Sequence, residues 1–189
     1  MPLSEATERK PMHQRTLEFQ GFARADGLWD IEGRLRDCKP FVHLNYRNEP
    51  LGAGAPVHEM SVRLTLNEAQ EVVAIEAAMD ASPFGVCPQA VAGLQALKGV
   101  RLGAGWRQAL KSRLPASASC THLSELLQAT ATVAFQTLGL GRTPEGTNPL
   151  PQMGSGEAPP FFVDQCHAWR ADGEVVREVY PRFAKKPRS

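Results

Sequence analysis

The sequence predicts an α+β fold, in which an antiparallel sheet built of hairpins carries three helices on one face. Three observations predict it. Before residue 80 the apolar residues alternate with the period of two that a half-buried strand requires. Between Cys87 and Leu138 the rhythm changes to the three-and-four spacing of a buried helical stripe. Strands come first and helices after, so the alternation that a doubly wound parallel sheet needs is missing.

Composition limits what such a chain does. Its 189 residues are 42% hydrophobic and 22% charged, the balance of a soluble globular protein with its own core. Twenty-one basic against 20 acidic residues gives no electrostatic case for nucleic acid. The N-terminus is polar and charged rather than signal-like, and no apolar run is long enough for a bilayer. The expectation is a cytoplasmic protein with no membrane partner, its protein partners unknown. Cys38, Cys87, Cys120 and Cys166 lie far apart without a C-x-x-C pair, which favours free thiols or scattered metal ligands over a disulfide framework.

Residues 1–12 have no period and read as a flexible arm. A single α+β domain is expected over 13–138. Leu17 and Phe19 alternate with Glu18 and Gln20. Asp26-Gly27 supplies a tight turn, and Trp29, Ile31, Gly33 and Leu35 alternate with charged residues on the return. Prolines and glycines between Cys38 and Pro56 predict a surface loop with one short extended piece near Val42. His58, Met60, Val62, Leu64 and Leu66 share the inward side of a further strand, and Val72 to Met79 pairs with it across a turn at Asn67 to Gln70.

Pro88 suits the first position of a helix that Cys87 would cap, with Val91, Leu94 and Leu97 inward and Gly99 at its end. A second helix spans roughly Gly103 to Leu114, turns Trp106, Ala109 and Leu110 inward, and stops at Pro115. The third has the best periodicity in the chain: Leu123, Leu126, Leu127, Thr130, Val133, Ala134, Thr137 and Leu138 form one face. Residues 139–160 are rich in glycine and proline and predict a long loop. Residues 161–183 predict a C-terminal β-hairpin around Asp172-Gly173 that completes the same domain, followed by a basic tail over 184–189.

Three residues with chemistry fall at the starts of regular elements. His58 begins a strand on its inward side, Cys87 stands at one helix entrance and Cys120 at another. Imidazole and thiolate together suit zinc or an iron–sulfur species, with His122 or Cys166 as a fourth ligand. The plain structural alternative is that the cysteines pack as small hydrophobes and the histidine bonds to backbone. A nucleophilic arrangement is the second functional reading, with Cys120 attacking, His58 or His122 as base and Asp37 or Asp80 as orienter. Residues two apart on a helix point about 200° from one another, which turns His122 away from Cys120. A third reading is a non-catalytic interaction protein whose 139–160 loop makes the contacts. The glycines of 99–105 precede a helix but lack the Lys-Ser/Thr of a phosphate loop.

Two resemblances add to this. The segments His13-Gln14-Arg15, Arg24 to Gly33, Val57-His58-Glu59-Met60 and Cys120-Thr121-His122-Leu123 resemble a bacterial family known as domain of unknown function 2889, over most of the chain from His13 to about Tyr180. That family name implies no activity. From His58 to Thr137 the order of features also resembles iron–sulfur scaffold proteins of the NifU and IscU type. That second resemblance matches their ligand positions to His58, Cys87 and Cys120 and implies a shared fold with a metal-binding corner. The chain departs from the scaffolds in having His58-Glu59-Met60 where they have Cys-Gly-Asp, and Ser119 where they have a histidine before the last cysteine. The role implied is metal or cluster handling, or structural support of a site, rather than turnover.

Overall fold

A computed structural model describes residues 3–103, 105–141 and 145–186. The chain divides into two compact units, Met1–Leu138 and Gly139–Ser189. In the first, four strands form an antiparallel sheet in the order β1-β2-β5-β6: β1 Gln14–Ala23, β2 Trp29–Cys38, β5 Pro56–Leu66 and β6 Val72–Ala81. The extended piece expected near Val42 is in fact a small hairpin, β3 His43–Leu44 with β4 Pro50–Leu51.

Register explains which side chains face inward. Ile31 pairs with Leu64, Gly33 with Val62, Leu35 with Met60 and Asp37 with His58. On the other side of β2, Arg15 pairs with Asp37 and Phe19 with Gly33. Paired residues project to the same face. Arg15, Asp37 and His58 therefore form a polar row across three strands, at the end of an otherwise apolar face. The opposite face carries Glu18, Glu32, Arg34, Arg63 and Glu76 around a shallow depression, and Arg63 bridges Glu32 at 2.7 Å there.

The helices cover the apolar face. A 3-10 run, Cys87–Leu97, buries Leu94 and Leu97. Cys87 is its first residue and Val86 its N-cap, one position earlier than the sequence suggests. Gly99 then takes the left-handed conformation (φ 77°) that ends it. α1 spans Trp106–Arg113 and stops just before Pro115, and α2 spans Thr121–Gly141. Leu123, Leu126, Leu127, Thr130, Ala134 and Leu138 of α2 are buried at the expected spacing. Trp106 anchors α1 to α2 by donating its indole N–H to the Leu127 carbonyl at 2.7 Å.

Two glycines let β1 and β2 come close to their neighbours. A Cβ on Gly21 would stand 1.8 Å from Thr137 Oγ1, and one on Gly33 would stand 2.7 Å from the Phe19 ring. The sheet face and α2 therefore meet with no room for even a methyl group at Gly21.

The second unit departs from expectation. Within 139–160, α2 runs on to Gly141 and a short α3 forms at Leu150–Met153, while residues 142–144 lie outside the described residues. The β-hairpin predicted over 161–183 is not formed. Phe161 to Trp169 are turns and bends, and Glu174–Val179 is a helix, α4. The physical reason lies in the spacing. Val176 and Tyr180 are the buried pair, four apart, and they fit a helical period as well as a strand alternation does. Phe162, Trp169 and Tyr180 then stack on one another, with centroids 4.8 to 6.1 Å apart. This segment is a unit of its own rather than the completion of the sheet. Of the expected basic tail, Pro187, Arg188 and Ser189 lie outside the described residues.

Candidate metal centre

The polar row at the sheet's end becomes a site because the start of α2 closes over it. Asp37 is 1% exposed, so its carboxylate needs strong partners. Arg15 meets it in a two-pronged contact, Nε to Oδ1 and Nη2 to Oδ2, each at 2.7 Å. His13 Nε2 lies 3.2 Å from Oδ1. On the other oxygen, His58 Nδ1 stands at 3.2 Å and His122 Nε2 at 3.5 Å. The two imidazoles stack with centroids 3.9 Å apart and planes inclined by 33°. Arg15 reaches outward as well, through Nη1 to Glu125 Oε2 at 2.5 Å.

Charge follows from this geometry. Burial pushes the Asp37 carboxyl up, but the Arg15 guanidinium, helped by His13 and His58, outweighs it and holds the group below its ordinary value. His58 is lowered by burial, against the opposing pull of Asp37. Burial also lowers His122, and His58 and Arg15 add to it. With both imidazoles held below their ordinary value of 6.5 and the carboxyl below its ordinary 3.8, neutral pH favours neutral rings beside an ionised carboxylate. Those are the protonation states that metal ligation requires.

Among the described residues, Asp37, His58 and His122 form a group whose donor atoms all lie within 4.8 Å of one another. A tetrahedral ion with bonds of 2.0–2.1 Å has ligand atoms about 3.3 Å apart. The 3.2 and 3.5 Å separations at Asp37 Oδ2 match that edge.

The structure brings together some of the residues that the sequence proposes and not others. His58 and His122 are in the group. Cys120 is beside it, with Sγ 3.9 Å from His122 Nδ1. That proximity corrects the 200° separation expected of the pair. Ser124 N donates to the Cys120 carbonyl, so Cys120 is the cap of α2 and not a residue within it. Cys87 opens the 3-10 run and Cys166 is exposed in the second unit, and neither is a member of the group. Asp37 appears in the sequence reading only as an orienter for Cys120. Its in-phase place on the apolar face of β2, opposite His58, is the signal that would have marked it as a ligand. Arg15 and Glu125 carry no such mark, because their meeting depends on α2 packing over β1.

Comparison with known proteins places the chain in a family and no further. The family described as protein of unknown function (DUF2889) matches residues 13–136, well over half of the chain, and the protein belongs to it. No curated protein and no solved structure matches the chain. The matched span holds every residue of the Asp37 cluster, from His13 to Glu125. No described helix is long and apolar enough to cross a membrane.

Proposed function

We propose that this is a metal-binding protein in which Asp37, His58 and His122 hold one divalent transition-metal ion. The observation that carries the reading is that Asp37, His58 and His122 each bring one donor atom within 4.8 Å of the others, with Asp37 Oδ2 3.2 Å from His58 Nδ1 and 3.5 Å from His122 Nε2. Two imidazoles and one carboxylate suit zinc or ferrous iron, whereas an iron–sulfur cluster calls for several thiolates. Three protein ligands leave positions open for water or a small ligand. Outer partners of the expected kind are present, since Arg15 and His13 hold the carboxylate and Cys120 lies at the far nitrogen of His122. Protein purified anaerobically and analysed for elements should hold zinc or iron near one equivalent, or take it up on titration. Absence of stoichiometric binding of either ion would overturn the reading.

A second reading has its own observation. Cys120 Sγ, His122 Nδ1, His122 Nε2 and Asp37 Oδ2 form a line with steps of 3.9 and 3.5 Å, the order of nucleophile, base and orienter. Iodoacetamide should then modify Cys120 faster than the exposed Cys166 at neutral pH, and His122→Ala should abolish the difference. Equal rates would remove this reading.

A further inference from the structure

We infer that Arg15 is the positioning residue of the centre, aiming both the carboxylate and the helix that supplies the second imidazole. This inference rests on the metal reading and deepens it. Asp37 and His58 lie on neighbouring strands, whereas His122 arrives on α2, so nothing in the sheet's register brings the third donor into place. One guanidinium spans that gap. Its Nε and Nη2 fix the carboxylate plane through two bonds of 2.7 Å. Its remaining edge, Nη1, holds Glu125, three residues beyond His122 on the same helix.

The planar fork matters because two parallel N–H groups set the orientation of a carboxylate, while an ammonium sets only its distance. With Arg15 in place, Asp37 Oδ2 is presented to both imidazoles. Without it the carboxylate turns about its own bond, and α2 loses its polar tie to β1. Arg15 is not itself one of the three donors, so its effect is transmitted through Asp37 and Glu125. Its side chain is 32% exposed, which leaves the guanidinium open to replacement from solution.

The test compares wild type, Arg15→Lys, Arg15→Ala and Glu125→Gln by zinc competition titration against a chromogenic chelator, with folding of each checked by thermal melting. Arg15→Ala should lose roughly 10–100-fold in zinc affinity. Arg15→Lys should recover only part of that, and Glu125→Gln should lose less than Arg15→Ala. Methylguanidine at millimolar concentration should restore affinity to Arg15→Ala, which a purely structural defect would not allow. Wild-type binding with unchanged affinity in folded Arg15→Ala would overturn the inference and leave the metal reading standing. If wild type itself binds no zinc, the metal reading fails. The imidazole 15N signals of His58 and His122 in metal-free protein then decide the positioning role. A shift of both in Arg15→Ala, reversed by methylguanidine, supports it, and unchanged signals overturn it.

Discussion

Asp37 and His58 face one another across adjacent antiparallel strands, with the carboxylate Oδ2 3.2 Å from the imidazole Nδ1. The pair sits where an apolar sheet face meets the first turn of α2, so the carboxylate is almost fully removed from water while staying charged. A buried anion in that position is tolerated only while its cationic and N–H partners are in place.

Asp37→Asn should therefore destabilise the fold by about 2–3 kcal/mol, below the roughly 3–5 kcal/mol that breaking a fully buried ion pair costs. The reduction from the full figure reflects the partial exposure of Arg15 and the acceptor oxygen that asparagine retains. Urea denaturation at neutral pH measures it. A change under 0.5 kcal/mol would mean that the carboxylate is solvated like an ordinary surface group.

Stability should fall as the medium is acidified, in two windows. His58 and His122 have lowered values in the fold, so the unfolded chain binds more protons than the folded one below the ordinary imidazole range. Their contribution is complete above the ordinary value of 6.5 and declines as pH drops from there. Asp37, also lowered, begins to lose its contribution near its ordinary value of 3.8 and continues downward. Denaturation midpoints measured from pH 8 to pH 3 should decline in that order. In His58→Ala the decline through the upper window should be shallower. A flat profile between pH 7 and pH 5 would contradict the lowered imidazoles.

The sheet and α2 are legible in the sequence because a period of two over strands of 10 or 11 residues and a period of 3.6 over the 21 residues of α2 leave distinct traces. The 3-10 run Cys87–Leu97 and the eight residues of α1 are marked instead by Pro88, Gly99 and Pro115 at their ends. The C-terminal segment is not. The six residues of α4 and its C-cap Tyr180 place Val176 and Tyr180 four apart, a spacing that satisfies either period, and the segment's aromatic residues cluster through turns that leave no repeating pattern. The site is half legible for a similar reason. His58 shows itself by its phase in a strand, whereas the Cys120–His122 contact depends on where α2 begins, and a shift of one residue moves Cys120 from helix to cap. The Arg15–Glu125 contact spans 110 positions and has no local signal at all.

Gly21→Ala tests the close approach of β1 and α2. The added methyl would fall 1.8 Å from Thr137 Oγ1 and 2.7 Å from its Cβ, so either the strand or the helix must move. A cost of about 1–3 kcal/mol is expected for such overpacking. Adding Thr137→Ala removes the two nearest atoms but leaves the Cβ, so the double variant should recover part of the loss. Full stability in Gly21→Ala alone would show that the strand edge yields freely.

Trp106→Phe tests the tie between α1 and α2. The indole N–H reaches the Leu127 carbonyl at 2.7 Å, and the Thr130 hydroxyl donates to the same oxygen at 2.7 Å. Because the acceptor keeps one side-chain donor when the other is removed, Trp106→Phe should cost about 1–2 kcal/mol, the lower part of the range for an unmade buried bond. Thr130→Val alone should cost no more than that. Removing both leaves the buried carbonyl with neither side-chain donor, so the double variant should lose more than the two single losses added together. A double-mutant cycle by urea denaturation measures that excess, expected to be at least about 0.5 kcal/mol. Strict additivity would mean that the two donors act on the carbonyl independently.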